Sequence, residues 1–82
     1  MMRSLPDFPA FAAVVADTFM TSPHQIRPET TALDINGWDS ISNATLIVAV
    51  EERFGITFTY EEIASFADLG AMFARAVELA AR

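Results

Sequence analysis

Few residues in this chain could do chemistry, and the first is a serine at a corner. Ser40 lies in Gly37-Trp38-Asp39-Ser40-Ile41-Ser42, which closes a long loop and opens the most apolar helix of the sequence. Asp and Ser are favoured at helix starts because their oxygens accept from backbone N–H groups left free in the first turn. Glycine just upstream lets the chain turn sharply into the helix. The serine hydroxyl is therefore placed at the positive end of a helix dipole, on a corner expected to be exposed, where an attached anionic group would be tolerated. On local sequence alone, Asp39 or Ser40 is an ordinary N-cap.

Other chemistry lacks its partners. A nucleophilic serine needs a base within hydrogen-bond reach, held by a third group. The one histidine, His24, sits beside Pro23 in the loop, far in sequence from Ser40, and there is no lysine. His24 reads as a surface-loop residue. No Gly-rich phosphate cradle and no metal-ligand spacing occurs. Glu51-Glu52 and Glu61-Glu62 are adjacent pairs expected on solvated helix faces, where they act as docking or solubility charges. An acid/base pair would have to converge on one pocket. Without cysteine there is no disulfide framework and no thiolate site, so any thiol must come from a cofactor.

The elements that position the corner follow from periodicity. Phe8, Phe11, Ala12, Val15 and Phe19 recur at helical steps, predicting a first helix over 8–20 with Asp7 as cap and Pro9 in its first turn. Met1 to Pro6 read as a loose terminus. Thr21 to Asp39 is a long connection broken by Pro23 and Pro28, with Ile26, Leu33 and Ile35 expected to pin it to the bundle. Helix two is predicted over 41–54. Leu46, Val50 and Phe54, with Ala49 beside them, face the core. Ile41, Ala44, Ile47 and Val48 form a second strip that must be covered or used. Gly55 ends this helix, and Ile56 and Phe58 point inward from an extended link. Thr59 and Glu62 form a capping box for a short third helix over 60–65, anchored by Ile63 and Phe66. Asp68 caps a fourth helix over 69–80, where Gly70 implies a close helix–helix approach. The expected fold is all-α: a single domain over residues 1–82, a small four-helix bundle with a long loop between helices one and two and a short third helix.

Composition narrows the partners. Net charge is −6 and all five basic residues are arginine, which argues against nucleic acid and against an anionic membrane surface. It suits docking onto basic patches of proteins. No segment reaches the roughly 18–20 apolar residues of a membrane span, and no basic n-region marks a signal peptide. The cytoplasm is the expected compartment.

Asp39-Ser40-Ile41 resembles the Asp-Ser-Leu signature of acyl and peptidyl carrier proteins. Val50-Glu51-Glu52-Arg53-Phe54-Gly55-Ile56 resembles the apolar–Glu–Glu–x–Phe run that ends the family's second helix, at the expected spacing from the serine. Thr59 to Leu69 is similar to its third helix and the start of its fourth. The resemblance implies the acyl-carrier fold and a non-enzymatic role. It implies a 4′-phosphopantetheine arm on Ser40, placed there by a phosphopantetheinyl transferase using coenzyme A and Mg²⁺, with cargo held as a thioester. Asp39 and Ile41 would serve transferase recognition. Ile47, Val48, Glu51 and Glu52 would serve docking to an acyl- or aminoacyl-loading ligase or adenylating enzyme and to condensing or acyl-transfer enzymes. No metal site on the chain itself is implied.

There are departures from the pattern. Ile41 stands where the signature usually has Leu. Thr45 stands where carriers of fatty acid synthesis place Glu, and Trp38 precedes the Asp-Ser pair as in specialised carriers. These lean toward a secondary-metabolite, polyketide, nonribosomal-peptide or cell-envelope pathway. The opening methionine and the absence of long linkers favour a stand-alone protein, and a monomer suits a shuttle. Two alternatives remain: a helical protein-interaction module with the carrier fold and no arm, and a hydrolase using Ser40, which lacks its base.

Overall fold

The computed structural model describes residues 5–82, so most of the Met1 to Pro6 terminus lies outside the described residues. Four α-helices run through them: α1 (Phe8–Phe19), α2 (Ser40–Phe54), α3 (Tyr60–Ser65) and α4 (Leu69–Ala80). Two 3₁₀ turns, Pro23–Gln25 and Ala32–Asp34, break up the long loop, and there is no strand among the described residues. The fold is the small helical bundle that the periodicity predicts. Each helix starts on the residue its cap chemistry requires. The side chains of Asp7, Asp39, Thr59 and Asp68 each accept from a backbone N–H in the first turn.

The apolar stripes meet in one core. Phe11, Ala12, Val15 and Ala16 of α1 pack with Leu46, Ile47, Val50 and Phe54 of α2 and with Leu69, Met72 and Ala76 of α4. Phe8, Phe11 and Phe73 form an aromatic triad joining α1 to α4, with ring centroids 5.3–5.9 Å apart. Ile56 and Phe58 turn inward from the link after Gly55, which closes α2 in the left-handed conformation. Phe58 then meets Phe66 edge-on at 5.1 Å, which holds the short α3 against the bundle. A helix of six residues needs such an anchor.

The predicted first helix runs one residue too long. Met20 takes the left-handed conformation that ends α1. Leu33, expected to pin the loop, is instead 97% exposed. Thr31 and Asp34 cap each other across the 3₁₀ turn, and this rolls Leu33 outward. What holds the loop is Ile26, which is buried, Ile35, which packs half-buried against the core, and the backbone itself. The carbonyl of Pro28 accepts from Gly70 N–H at 2.7 Å, and that of Thr30 accepts from Leu69 N–H at 3.0 Å. Two N–H groups left free at the start of α4 are thereby satisfied by loop carbonyls. The close approach expected at Gly70 is thus to this loop rather than to a helix. A Cβ there would lie 2.9 Å from the Pro28 oxygen. The loop that delivers the chain to Ser40 is fixed by contacts of its own backbone.

Candidate functional site: the Ser40 corner

The corner is built by a chain reversal and a reciprocal cap. Gly37 has φ +85°, which directs the chain back toward α2. Asp39 is the N-cap. Its Oδ1 accepts from Ser42 N–H at 2.9 Å, and Ser42 Oγ accepts from Asp39 N–H at 2.7 Å. The Ser42 hydroxyl has the Gly37 carbonyl 2.7 Å away as acceptor for its own proton. This is a capping box with serine in the place usually held by Glu or Gln. Ser40, the first helical residue, is spared this duty. It is exposed, and no described residue hydrogen-bonds its Oγ.

The same cap sets the charge of the corner. The backbone N–H of Ser42, and after it the Ser42 hydroxyl, hold the Asp39 carboxyl below its ordinary value. On α3, the Thr59 N–H and then Arg75 do the same for Glu62. In both cases the unfolded chain binds protons more readily than the folded one. The stabilisation is therefore complete above the ordinary carboxylate value of about 4 and is lost as pH falls through the lower folded value. Urea midpoints measured from pH 7 to pH 3 should be flat at first and then decline. Asp39→Asn, which cannot ionise, should shallow that decline.

Beside Ser40 opens a cleft of about 310 Å³ between the end of the loop, α2, α3 and the start of α4. Trp38, Ile63, Phe66 and Met72 give it apolar walls, and Asn43, Thr31 and Asp68 give it polar edges. Trp38 leans on Phe19 of α1 at 5.2 Å, and its indole N–H donates to Asn43 Oδ1 at 3.0 Å. No histidine lines the cleft, and His24 is exposed in the loop as expected. No group of three or more His, Cys, Asp or Glu that could hold a metal occurs among the described residues. The described helices include none long and apolar enough to cross a membrane.

The remaining site residues divide. Ile41 is 80% exposed next to Ser40, and Val48 is 51% exposed along the same helix, where it borders a shallow apolar groove with Ala44, Ala49 and Glu52. Ile47, expected with Val48 on this docking face, is a correction. It is 6% exposed and belongs to the core, because it lies beside Leu46 on the side of α2 that packs into the bundle. Glu51 is a second correction to the picture of two free charges. Its Oε2 accepts from Phe58 N–H at 2.8 Å, tying α2 to the inward link. Glu52 is exposed. Glu62 is likewise no free charge, since it closes the α3 capping box and pairs with Arg75 of α4. Glu51→Ala should cost about 1–3 kcal/mol in urea unfolding, as Phe58 N–H loses a charged acceptor. Glu52→Ala should stay within about 0.5 kcal/mol. Equal losses would return Glu51 to the surface charges.

Sequence reading passed over Ser42 and Asn43. Serine three residues after the Asp39 cap was a readable signal for the first. The second depends on a contact with Trp38 that no periodicity announces.

Comparison with known proteins agrees with this geometry. The family model described as "Phosphopantetheine attachment site" matches residues 9–76. The chain is similar to the acyl carrier protein MbtL of Mycolicibacterium paratuberculosis, 33% identical over 57 residues, which cover 70% of this chain and 64% of that protein. It is also similar to an acyl carrier protein of Thermosynechococcus vestitus, 41% identical over 51 residues, which cover 61% and 62% of the two chains. In each case the match spans less than two thirds of the relative's length. An exposed, unbonded hydroxyl at the mouth of a helix, with a cleft beside it, fits a tethered phosphate ester. The chain belongs to the phosphopantetheine-binding carrier proteins, whose members bear the arm covalently and act as carriers rather than catalysts.

Proposed function

We propose that Ser40 carries the arm and that the protein moves acyl or aminoacyl groups between partner enzymes. One observation supports this above the others: Ser40 Oγ is exposed and has no hydrogen-bond partner among the described residues, while its neighbours Asp39 and Ser42 do all the capping. The arm supplies a terminal thiol on a long tether, on which cargo is held as a thioester. Asp39 keeps a negative charge at the helix mouth, and Ile41 offers an apolar contact to the phosphopantetheinyl transferase. Val48 and Glu52, rather than Ile47 and Glu51, form the surface for the loading ligase or adenylating enzyme and for condensing or acyl-transfer enzymes. With Thr45 and Trp38 in the positions noted above, the pathway is a secondary-metabolite, polyketide, nonribosomal-peptide or cell-envelope one, run in the cytoplasm. Net charge of −6 suits steering toward basic enzyme surfaces and a monomeric shuttle.

The test is intact mass after incubation with coenzyme A, Mg²⁺ and a broad-specificity transferase. A gain of one phosphopantetheine, mapped to the peptide containing Ser40, is expected. An unchanged mass with several transferases would overturn the reading and leave a helical interaction module.

A further inference from the structure

Trp38 is the residue of the corner that capping does not explain. A large side chain two positions before Ser40 is half-buried, with its ring against Phe19 and its N–H on Asn43. Asn43 lies three residues after Ser40 on α2, so the two project from neighbouring points of one helix face. Ser40 is thus bracketed. The residue ahead of the cap is anchored to α1, and the same residue is bonded to the first full turn of α2. Neither contact is needed to start the helix, because Asp39 and Ser42 already close a capping box at its first turn.

We infer that Trp38 and Asn43 form a positioning pair, which holds the Asp39-Ser40-Ile41 corner in the shape the phosphopantetheinyl transferase docks. This rests on Ser40 being the attachment site. In the transfer, a bond forms between Ser40 Oγ and the phosphorus of coenzyme A that bears the pantetheine. The bond to the second phosphate breaks, adenosine 3′,5′-bisphosphate leaves, and the serine proton passes to a base on the transferase. Neither member of the pair touches the reacting atoms. Their effect is to present the corner already shaped, so that docking does not have to order it. Losing the pair should therefore weaken recognition of the carrier and leave the chemical step intact.

The experiment compares the wild-type protein with Trp38→Phe, which keeps a ring against Phe19 and loses the N–H, with Asn43→Ala, and with the double variant. Transfer from coenzyme A is followed by intact mass, with circular dichroism as a check on folding. Each single variant should raise the KM for the carrier about three- to ten-fold, the range of one hydrogen bond. The kcat should stay within about two-fold, and every molecule should still be loadable. The double variant should be no worse than the poorer single one, because the two residues share one bond. A merely structural role would lower the melting temperature and the loadable fraction without this KM pattern. KM values within two-fold of wild type for both single variants, or effects that multiply in the double variant, would overturn the pair. If Trp38→Phe fails to fold, Asn43→Ala decides alone, since Ala is the better helix former at that position. Failure of the wild-type protein to load would instead sink the assignment of Ser40, and the pair with it.

Discussion

Ser40→Ala is expected to abolish loading of the arm completely while leaving the protein folded, with a melting temperature within about 4 °C of wild type. The fold is indifferent to this side chain for a concrete reason. Ser40 is the first helical residue, not the cap, and no described residue bonds its hydroxyl. Ser42→Ala should do the reverse. It removes the acceptor of the Asp39 N–H and the donor to the Gly37 carbonyl, two bonds of 2.7 Å each. A loss of about 1–2 kcal/mol, or roughly 4–16 °C in melting temperature, is expected. Loading should continue, since the acceptor hydroxyl is intact. Two serines two positions apart would then separate cleanly, one as handle and one as hinge pin. A Ser40→Ala protein that still gained mass would move the handle elsewhere. One that unfolded would make Ser40 a structural cap after all.

That separation shows which parts of the molecule the sequence discloses. Caps and the inward link were readable, and the helix limits to within one residue, because each depends on a few neighbouring residues. Asp7, Asp39, Thr59 and Asp68 cap where local chemistry says, and Gly55 ends α2. The errors lie where distant segments decide. Periodicity shows that α2 has two apolar strips. It does not show that Ile47 is drawn into the core while Val48, next along the chain, stays half open. Glu51 and Glu62 look like surface charges until Phe58 N–H and Arg75 arrive from elsewhere in the chain. Leu33 looks like an anchor until a 3₁₀ turn sets its direction. For the site, the serine and its cap were legible, and Ile41, expected as an apolar contact for the transferase, is exposed beside them. The bond between Trp38 and Asn43, and the cleft beside it, require the loop, α2, α3 and α4 to be brought together.

Phe11→Ala is expected to be the most damaging single core change, at about 3–5 kcal/mol. Phe11 is fully buried and is the inner member of the triad with Phe8 and Phe73. A domain of this length has roughly 4–12 kcal/mol of stability, so the variant would sit near the edge of unfolding at ambient temperature. Its melting temperature should fall by more than about 12 °C. Two effects compete in setting the value. The lost burial of a phenyl ring is nearly fixed, whereas the cavity contribution depends on whether neighbours can move in. Phe8 and Phe73 are only partly buried and meet each other at 5.3 Å, so they have room to tilt toward the space. This favours the lower half of the range. Phe11 lies eight residues before Phe19 on α1, about 12 Å along the helix from the contact that steadies Trp38. Below its melting temperature, Phe11→Ala should therefore still take the arm with an unchanged KM. Urea unfolding and loading kinetics on the same preparation would check both halves. A loss under about 1.5 kcal/mol would mean that the triad closes over the gap. A raised KM in folded protein would mean that the two ends of α1 are coupled, and that the corner is set by the whole core rather than by its own contacts.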